Sequence, residues 1–311
     1  MFDISIIIIN YNTDQYTIDC IDSIISKTNT ALNCQYIIVD NGSNKESFQK
    51  LNSYISKLPS STQIELIRSN INTGFGSGNM IGVLKATGKY IAFINNDVLL
   101  KNDCLSILKE FMDHNSEVGV VGPQAFTENN KHLSTIDHFA SLKRELLGRK
   151  TLEFINKKKY PVRKKEYSKP IRGQFVAGSF MLFRREDFNK IGGFDTNIFL
   201  YYEETDVCKR LLNINKTAYL VPDAKFTHFH GASTKRSIDI KIELKISLLY
   251  IIRKHSGIIP FYIMLTYLQI RYFFSSLVKP KYWRLFYILL LQAPLTKSLK
   301  HKQQINVISN S

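Results

Sequence analysis

The sequence predicts a doubly wound α/β fold, and three observations carry the prediction. Apolar runs of strand length recur at 4–9, 35–39, 64–67 and 90–94, with helical periodicity between them. The runs are continuous rather than alternating, as expected of strands covered on both faces of a parallel sheet. Each run stops on polar turn residues: Asn10-Tyr11-Asn12, Asp40-Asn41-Gly42, Arg68 to Asn72, and Asn95-Asn96-Asp97. Parallel connection through helices would bring all four stops to one sheet edge, where α/β proteins bind ligands.

In order, a helix is expected over 14–26, with Tyr16, Ile18, Ile21, Ile24 and Ile25 on its apolar face, and another over 50–58. The segment 70–79, NINTGFGSGN, reads as a glycine-rich loop capping a helix over 79–86. It matches neither GxGxxG nor GxxxxGK[ST], so a phosphate cradle and a plain flexible loop both remain open. A helix over 105–115 and a short strand over 118–121 follow, the latter ending at Gly122-Pro123. Residues 174–184 predict a strand or strand pair in which Gly178 and Ser179 mark a close approach to a ligand. A short helix over 186–191, a helix following Asp206 and a strand over 216–221 complete the series.

The 311-residue length suits one large α/β domain with an appendage. A net charge of +16 and a pI of about 9.5 point to an acidic partner: nucleic acid, a phosphorylated substrate or an anionic membrane. Over half of that charge sits in 143–172, which holds twelve Lys/Arg against three Glu. This basic insertion reads either as a solvated loop or as a clamp on lipid head groups or a diphosphate-linked acceptor. No nucleic-acid motif accompanies it, so nucleic acid is not expected. Cys20, Cys34, Cys104 and Cys208 are scattered without a CxxC pair, which argues against a zinc site or disulfide framework and for a reduced, cytoplasmic setting. The N-terminal apolar run is too short for a signal peptide and lacks a basic leader.

Two segments suggest chemistry. Asp97, at a strand's carboxyl end, is a suitable oxygen ligand for a divalent ion carrying substrate phosphates. Glu203, Glu204 and Asp206 follow an aromatic run at a predicted helix start. The helix dipole explains one such acid, and Asp206 could cap the helix. Three acids beside apolar surface raise one another's pKa, which suits a general base. His228 and His230, two apart, would face the same way in a strand and could hold a metal or a phosphate.

The motifs SIIIINYN, IIVDNGS, NINTGFGSGN, FINNDV, VAGSFMLFRR, GGFD, FLYYEETDVCKR and HFHGAS stand in an order that resembles family 2 glycosyltransferases of the GT-A fold, especially the bacterial rhamnosyltransferase branch. The resemblance spans about residues 3–235. It implies a Rossmann-like, mostly parallel sheet flanked by helices, and an inverting transfer of a sugar from a nucleotide-sugar donor to a glycan or lipid-linked acceptor. Tyr11 and Asp40 would contact the base. Arg68 and the loop carrying Asn70, Gly74 and Asn79 would flank ribose and diphosphate, with Asn95 and Asn96 nearby. Asp97 matches the last acid of the family's Asp-x-Asp motif for Mg2+ or Mn2+, although Asn95 replaces the first. Glu203-Glu204 matches the Glu-Asp base motif, with Glu204 in the base position and Glu203 as the alternative. His228 matches a late His that binds metal or diphosphate. The favoured donor is dTDP-rhamnose; UDP-linked galactose, galactofuranose or N-acetylglucosamine are alternatives, and a basic binding module with a degenerate site is the alternative of another class.

The expected division is a catalytic unit over 1–240 and a helical, apolar and basic extension over 241–311. Residues 258–278 reach the ~20 residues needed to span a bilayer but include Pro260, Gln269 and Arg271. Two expectations stand: amphipathic helices on the inner face of the cell membrane, or helices packed on the catalytic unit or on the second subunit of a homodimer.

Overall fold

The computed structural model describes residues 2–229 and 237–306. The first half alternates strands and helices: β1 (Ile4–Asn10), α1 (Asp14–Lys27), β2 (Cys34–Asn41), α2 (Lys45–Ile55), β3 (Ile64–Ser69), α3 (Gly74–Val83) and β4 (Tyr90–Asn95). A tight turn then leads into β5 (Val98–Leu100), followed by α4 (Cys104–His114) and β6 (Val118–Phe126). The second half holds β7 (His132–Leu133), β8 (Ile136–Asp137), α5 (Leu142–Leu147), α6 (Arg149–Ile155), β9 (Ile171–Gly173), β10 (Phe175–Val176), β11 (Phe180–Arg184), α7 (Arg185–Lys190), α8 (Glu203–Asn213) and β12 (Thr217–His228). Three helices close the chain: α9 (Ile238–Ser256), α10 (Ile258–Val278) and α11 (Trp283–Leu290).

The main sheet runs β3-β2-β1-β4-β11-β6-β12-β5. Strands β1 to β4 are mutually parallel, β11 enters antiparallel to both β4 and β6, and β12 returns parallel to β6. Each face buries its own core. Helices α1, α2 and α4 cover one with residues such as Ile21, Ile24, Leu51, Leu105 and Leu108. The other is covered by α3, α7 and α8, where Phe93, Phe183, Phe188 and Phe194 interlock edge to face.

Several boundaries differ from expectation for identifiable reasons. The buried stripe of α1 is Thr17, Cys20, Ile21 and Ile24, with Tyr16 and Ile25 turned outward, so small semipolar side chains supply half the packing face. Helix α2 starts five residues earlier than expected because the Asn44 side chain caps the Ser47 N–H at 2.9 Å. The glycine-rich segment is mostly helix. Its last turn packs on β1 so closely that a Cβ at Gly82 would lie 2.7 Å from the Ile7 side chain. Strand β6 continues through Gly122-Pro123 because β11 pairs with it only at Val120 and Val121, leaving a one-sided stretch that tolerates proline. Pro222-Asp223 likewise forms a bulge inside β12 rather than its end. The basic segment is not wholly loop, since α5 and α6 lie within it, with Ser141 capping the Arg144 N–H.

Helices α9, α10 and α11 build a third apolar core, around Ile246, Leu249, Met264, Leu268 and Leu285. Pro260 sits in the first turn of α10, where its missing N–H costs no helical hydrogen bond. Among the described residues, no helix is long and apolar enough to cross a membrane. The bundle is joined to the sheet unit through Asp206 on α8, which is fully buried. Its carboxylate meets Arg210 at 2.5 Å, Lys254 at 2.6 Å and His255 at 2.7 Å. Asp195, which also pairs with Lys254 at 2.7 Å, accepts a hydrogen bond from Tyr250. Burial alone would raise the Asp206 pKa, but the His255 hydrogen bond and the Arg210 charge outweigh it and hold the carboxyl well below the usual range.

Replacing Asp206 by Ala leaves these cations without their buried counter-charge, a loss of about 3–5 kcal/mol. Chemical denaturation is expected to show that loss at neutral pH. The Asp206 contribution is complete above its unfolded pKa of about 3.9 and fades as pH falls through its lower folded value. The deficit of the variant therefore shrinks in acid; an unchanged neutral midpoint refutes the role of Asp206.

Candidate active site

The register sets the site. Asn10 pairs across the sheet with Asp40, Asp40 with Arg68, and Ile9 with Asn95, so four strand ends lie level. Asp40 is fully buried and satisfied: its Oδ1 accepts from Asn10 Nδ2 at 2.9 Å and its Oδ2 from Arg68 Nη1 at 2.9 Å. The Arg68 guanidinium also donates to the Ser43 carbonyl and lies 4.3 Å above the Phe48 ring centre. Asn41 binds the turn before α3, accepting from the Thr73 N–H and donating to the Gly74 carbonyl. Gly42 has φ +82°, and a Cβ there would lie 2.5 Å from the Ile71 backbone. The strand ends thus form a stiff rim of buried polar contacts.

A cavity of about 560 Å³ opens beside this rim, within the range of small-molecule sites. Of the residues singled out from sequence, Tyr11, Gly74, Asn79, Asn95, Asn96, Glu203, Glu204 and His228 line it. Asp40 and Arg68 stand at the strand ends beside it, and Asp97 stands behind His228. Asn70 offers its backbone carbonyl to Asn306. The Asn96 amide is committed to Thr13 and Thr17 on the α1 side, so it anchors the turn. His230 lies outside the described residues.

Glu203 and Glu204 open α8, where the helix dipole favours negative charge. They are presented by Tyr201 and Tyr202, with φ 75° and 72°, consecutive left-handed residues that cost roughly 1–3 kcal/mol each. The strain is offset by packing: Tyr202 lies 5.4 Å below the Arg144 guanidinium, and Ser247 donates to the Leu200 carbonyl just before the pair. Glu204 accepts the Gly178 N–H at 3.0 Å through Oε1. A Cβ at Gly178 would lie 2.5 Å from that oxygen, so the close approach at this glycine is to Glu204. Glu203 is 4% exposed and its Oε1 is buried without a hydrogen-bond partner. Burial, then the Glu204 charge, raises the Glu203 pKa well above the usual range. Burial also raises Glu204, partly countered by backbone hydrogen bonds that include the one from Gly178. Asp206 points away to its cations and is not a cap, so only two of the three acids face the cavity.

His228, also in the cavity lining, has its Nε2 3.2 Å from Asp97 Oδ1. Two ligands at adjacent corners of an octahedral ion with ~2.1 Å bonds are separated by about 3 Å, so the pair has the spacing to share one Mg2+ or Mn2+. Among the described residues, no cluster of three metal-ligating side chains occurs. Sequence reasoning missed Leu299 and Gln303, which line the cavity from beyond the helical bundle. Their arrival depends on how the bundle folds back, which no local pattern encodes.

Comparison with known proteins places this architecture. The chain is 23% identical to dTDP-rhamnosyl transferase RfbF of Shigella flexneri over 245 residues, covering 76% of this chain and 73% of the relative. It is 30% identical to rhamnosyltransferase WbbL of Escherichia coli K12 over 193 residues, covering 58% of this chain and 71% of the relative. The structure of GalNAc-T7 with UDP, GalNAc and Mn2+ superposes with a TM-score of 0.60 at 15% identity, covering 81% of this chain and 48% of that one, a likeness of fold. The description Glycosyl transferase family 2 matches residues 5–192, from the first strand through the β11–α7 hairpin. That match takes in more than half of the sequence, and the protein therefore belongs to glycosyl transferase family 2.

Proposed function

We propose that this glycosyltransferase transfers rhamnose from dTDP-rhamnose to a polysaccharide or lipid-linked acceptor, with inversion at the sugar carbon. The observation that carries the proposal is that Glu204 and His228, the latter paired with Asp97, line one cavity. Two relatives named as rhamnosyltransferases support the sugar. Phe199, Leu200 and Ile240 in the cavity wall offer apolar surface for the methyl group of a 6-deoxyhexose.

In this reading, the bond between the sugar carbon and the diphosphate oxygen breaks through an oxocarbenium-like transition state. The acceptor hydroxyl oxygen bonds to that carbon from the opposite face and its proton passes to Glu204, whose Gly178 contact fixes the carboxylate's direction. Glu203, biased toward its neutral form by burial and the Glu204 charge, stands beside the base in the cavity wall, where a sugar hydroxyl would meet it. The diphosphate would meet Tyr11 and Asn95 in the cavity wall, the first two N–H groups of α3 being taken by Asn72 and Phe199. Asp97 and His228 would hold Mg2+ or Mn2+, which when bound supplies Lewis acidity toward the leaving diphosphate.

A donor panel assayed for acceptor-independent hydrolysis is expected to give the highest rate with dTDP-rhamnose, and preference for a UDP-sugar overturns the sugar assignment. Glu204→Gln is expected to lower turnover at least ~100-fold. In the wild type, kcat/KM should fall with decreasing pH along a limb above the ordinary glutamate pKa of about 4.3, because the raised Glu204 must lose its proton to act. Gly178→Ala should reduce kcat ~10-fold or more by displacing the carboxylate, with near-native circular dichroism. Full turnover in both variants removes Glu204 as the base.

The same reading puts the enzyme on a membrane surface. One side of α10 and α11 is apolar and exposed: Phe274 is 62%, Leu277 60% and Val278 79% accessible, beside Trp283, Tyr287 and Leu290. Trp283 packs edge-on to Phe273 and Phe286, while Lys279, Lys281 and Arg284 flank the aromatic group. Apolar surface bordered by cations matches an anionic bilayer interface. Flotation with anionic vesicles should carry the protein upward. The double variant Phe274→Ser, Val278→Ser should lose ~10-fold or more of that binding, and failure of the wild type to float excludes the bilayer.

A further inference from the structure

After α11 the chain turns back over the sheet unit, where a strap over 298–306 crosses the cavity to the nucleotide end of the rim. Its near end is pinned to α9: Ser298 Oγ donates to Glu243 Oε1 at 2.9 Å and the Leu299 N–H to Glu243 Oε2 at 2.7 Å, with Ser298 and Glu243 both buried. Lys300 Nζ reaches the Thr196 carbonyl at 2.6 Å. Leu299 and Gln303 then stand in the cavity wall. At the far end, Asn306 makes three contacts with the rim. Its N–H donates to the Asn70 carbonyl at 2.7 Å, its Nδ2 donates to the Gly42 carbonyl at 2.7 Å, and its carbonyl accepts from Arg68 Nη2 at 3.3 Å.

These contacts fall on the ends of β2 and β3 and on the arginine that neutralises Asp40. A residue whose side chain holds Gly42 while its backbone holds Arg68 and Asn70 keeps in one arrangement the groups a nucleoside would meet. We infer that Asn306 is a positioning residue of the donor site, and that the strap completes the nucleoside-diphosphate subsite from outside the sheet unit. The inference rests on the reading of this rim as the donor site. It predicts that strap variants weaken nucleotide binding and leave the chemical step, which occurs at Glu204, unaltered. Because Asn306 touches only Gly42, Arg68 and Asn70, away from Glu204, its loss is uniform binding lost: KM rises and kcat holds.

The test uses the full chain, with binding of dTDP and UDP followed by calorimetry in the presence of Mn2+. The kinetic split is measured on whichever nucleotide sugar is hydrolysed. Asn306→Ala removes the Gly42 contact, and Asn306→Pro removes the Asn70 contact as well. Each hydrogen bond lost should raise nucleotide Kd and donor KM about 2- to 10-fold, with kcat within twofold and Tm unchanged. If the wild type binds neither nucleotide, the donor-site reading itself fails. If it binds and both variants bind equally well or more tightly, the strap inference fails while the donor-site reading stands; a fall in kcat without a rise in KM overturns it too.

Discussion

The level ending of four parallel strands is the constraint on which the rest of the structure depends. In parallel pairing, one register fixes both which side chains enter the core and where each strand stops. Here it sets Asn10, Asp40 and Arg68 side by side and brings Asn95 level with Ile9, one residue short of that row. A one-residue slip of β2 would turn Ile38 to the opposite face and separate Asp40 from both of its partners. The polar rim is therefore a product of core packing, and its contacts in turn hold Gly42 and the turn before α3.

Charge is distributed so that each acid near α8 has a different environment within one helical turn. Asp206 has two cationic partners and a histidine, and ties the helical bundle to the sheet. Glu204 has backbone donors alone, Gly178 among them, and Glu203 has an oxygen with none. The order of decreasing compensation is the order of increasing reluctance to ionise. Because the bundle anchors at Asp206, the same helix carries a structural charge on one side and the reactive pair on the other. The two left-handed tyrosines before it aim that pair, and their strain is maintained by contacts from both α5 and α9.

The strands of the first half were legible because continuous apolar runs ending in Asn, Asp and Gly have few other interpretations. The acids were legible as a cluster, but not their separate fates. Distinguishing Asp206 from Glu204 required knowing that Lys254 and His255 return some fifty positions later. Glycines misled twice. In 70–79 they suggested a loop but serve a helix packed tightly on β1, and Gly178 suggested a ligand contact but makes room for a carboxylate. Prolines misled in the same manner, since Pro123 and Pro222 lie within strands where pairing is one-sided or bulged. Residues 298–306 carried no readable signal, because their placement follows from the tertiary path of α9 to α11.

The chain contains a single tryptophan, and it sits on the exposed aromatic face of the helical bundle, far in sequence from the cavity-lining acids. Intrinsic fluorescence excited at the red edge therefore originates from one place. Its emission colour and its quenching by aqueous iodide or by brominated acyl chains report the polarity around Trp283 alone. The protein thus carries its own optical probe of what touches that face, and no label need be introduced to read it.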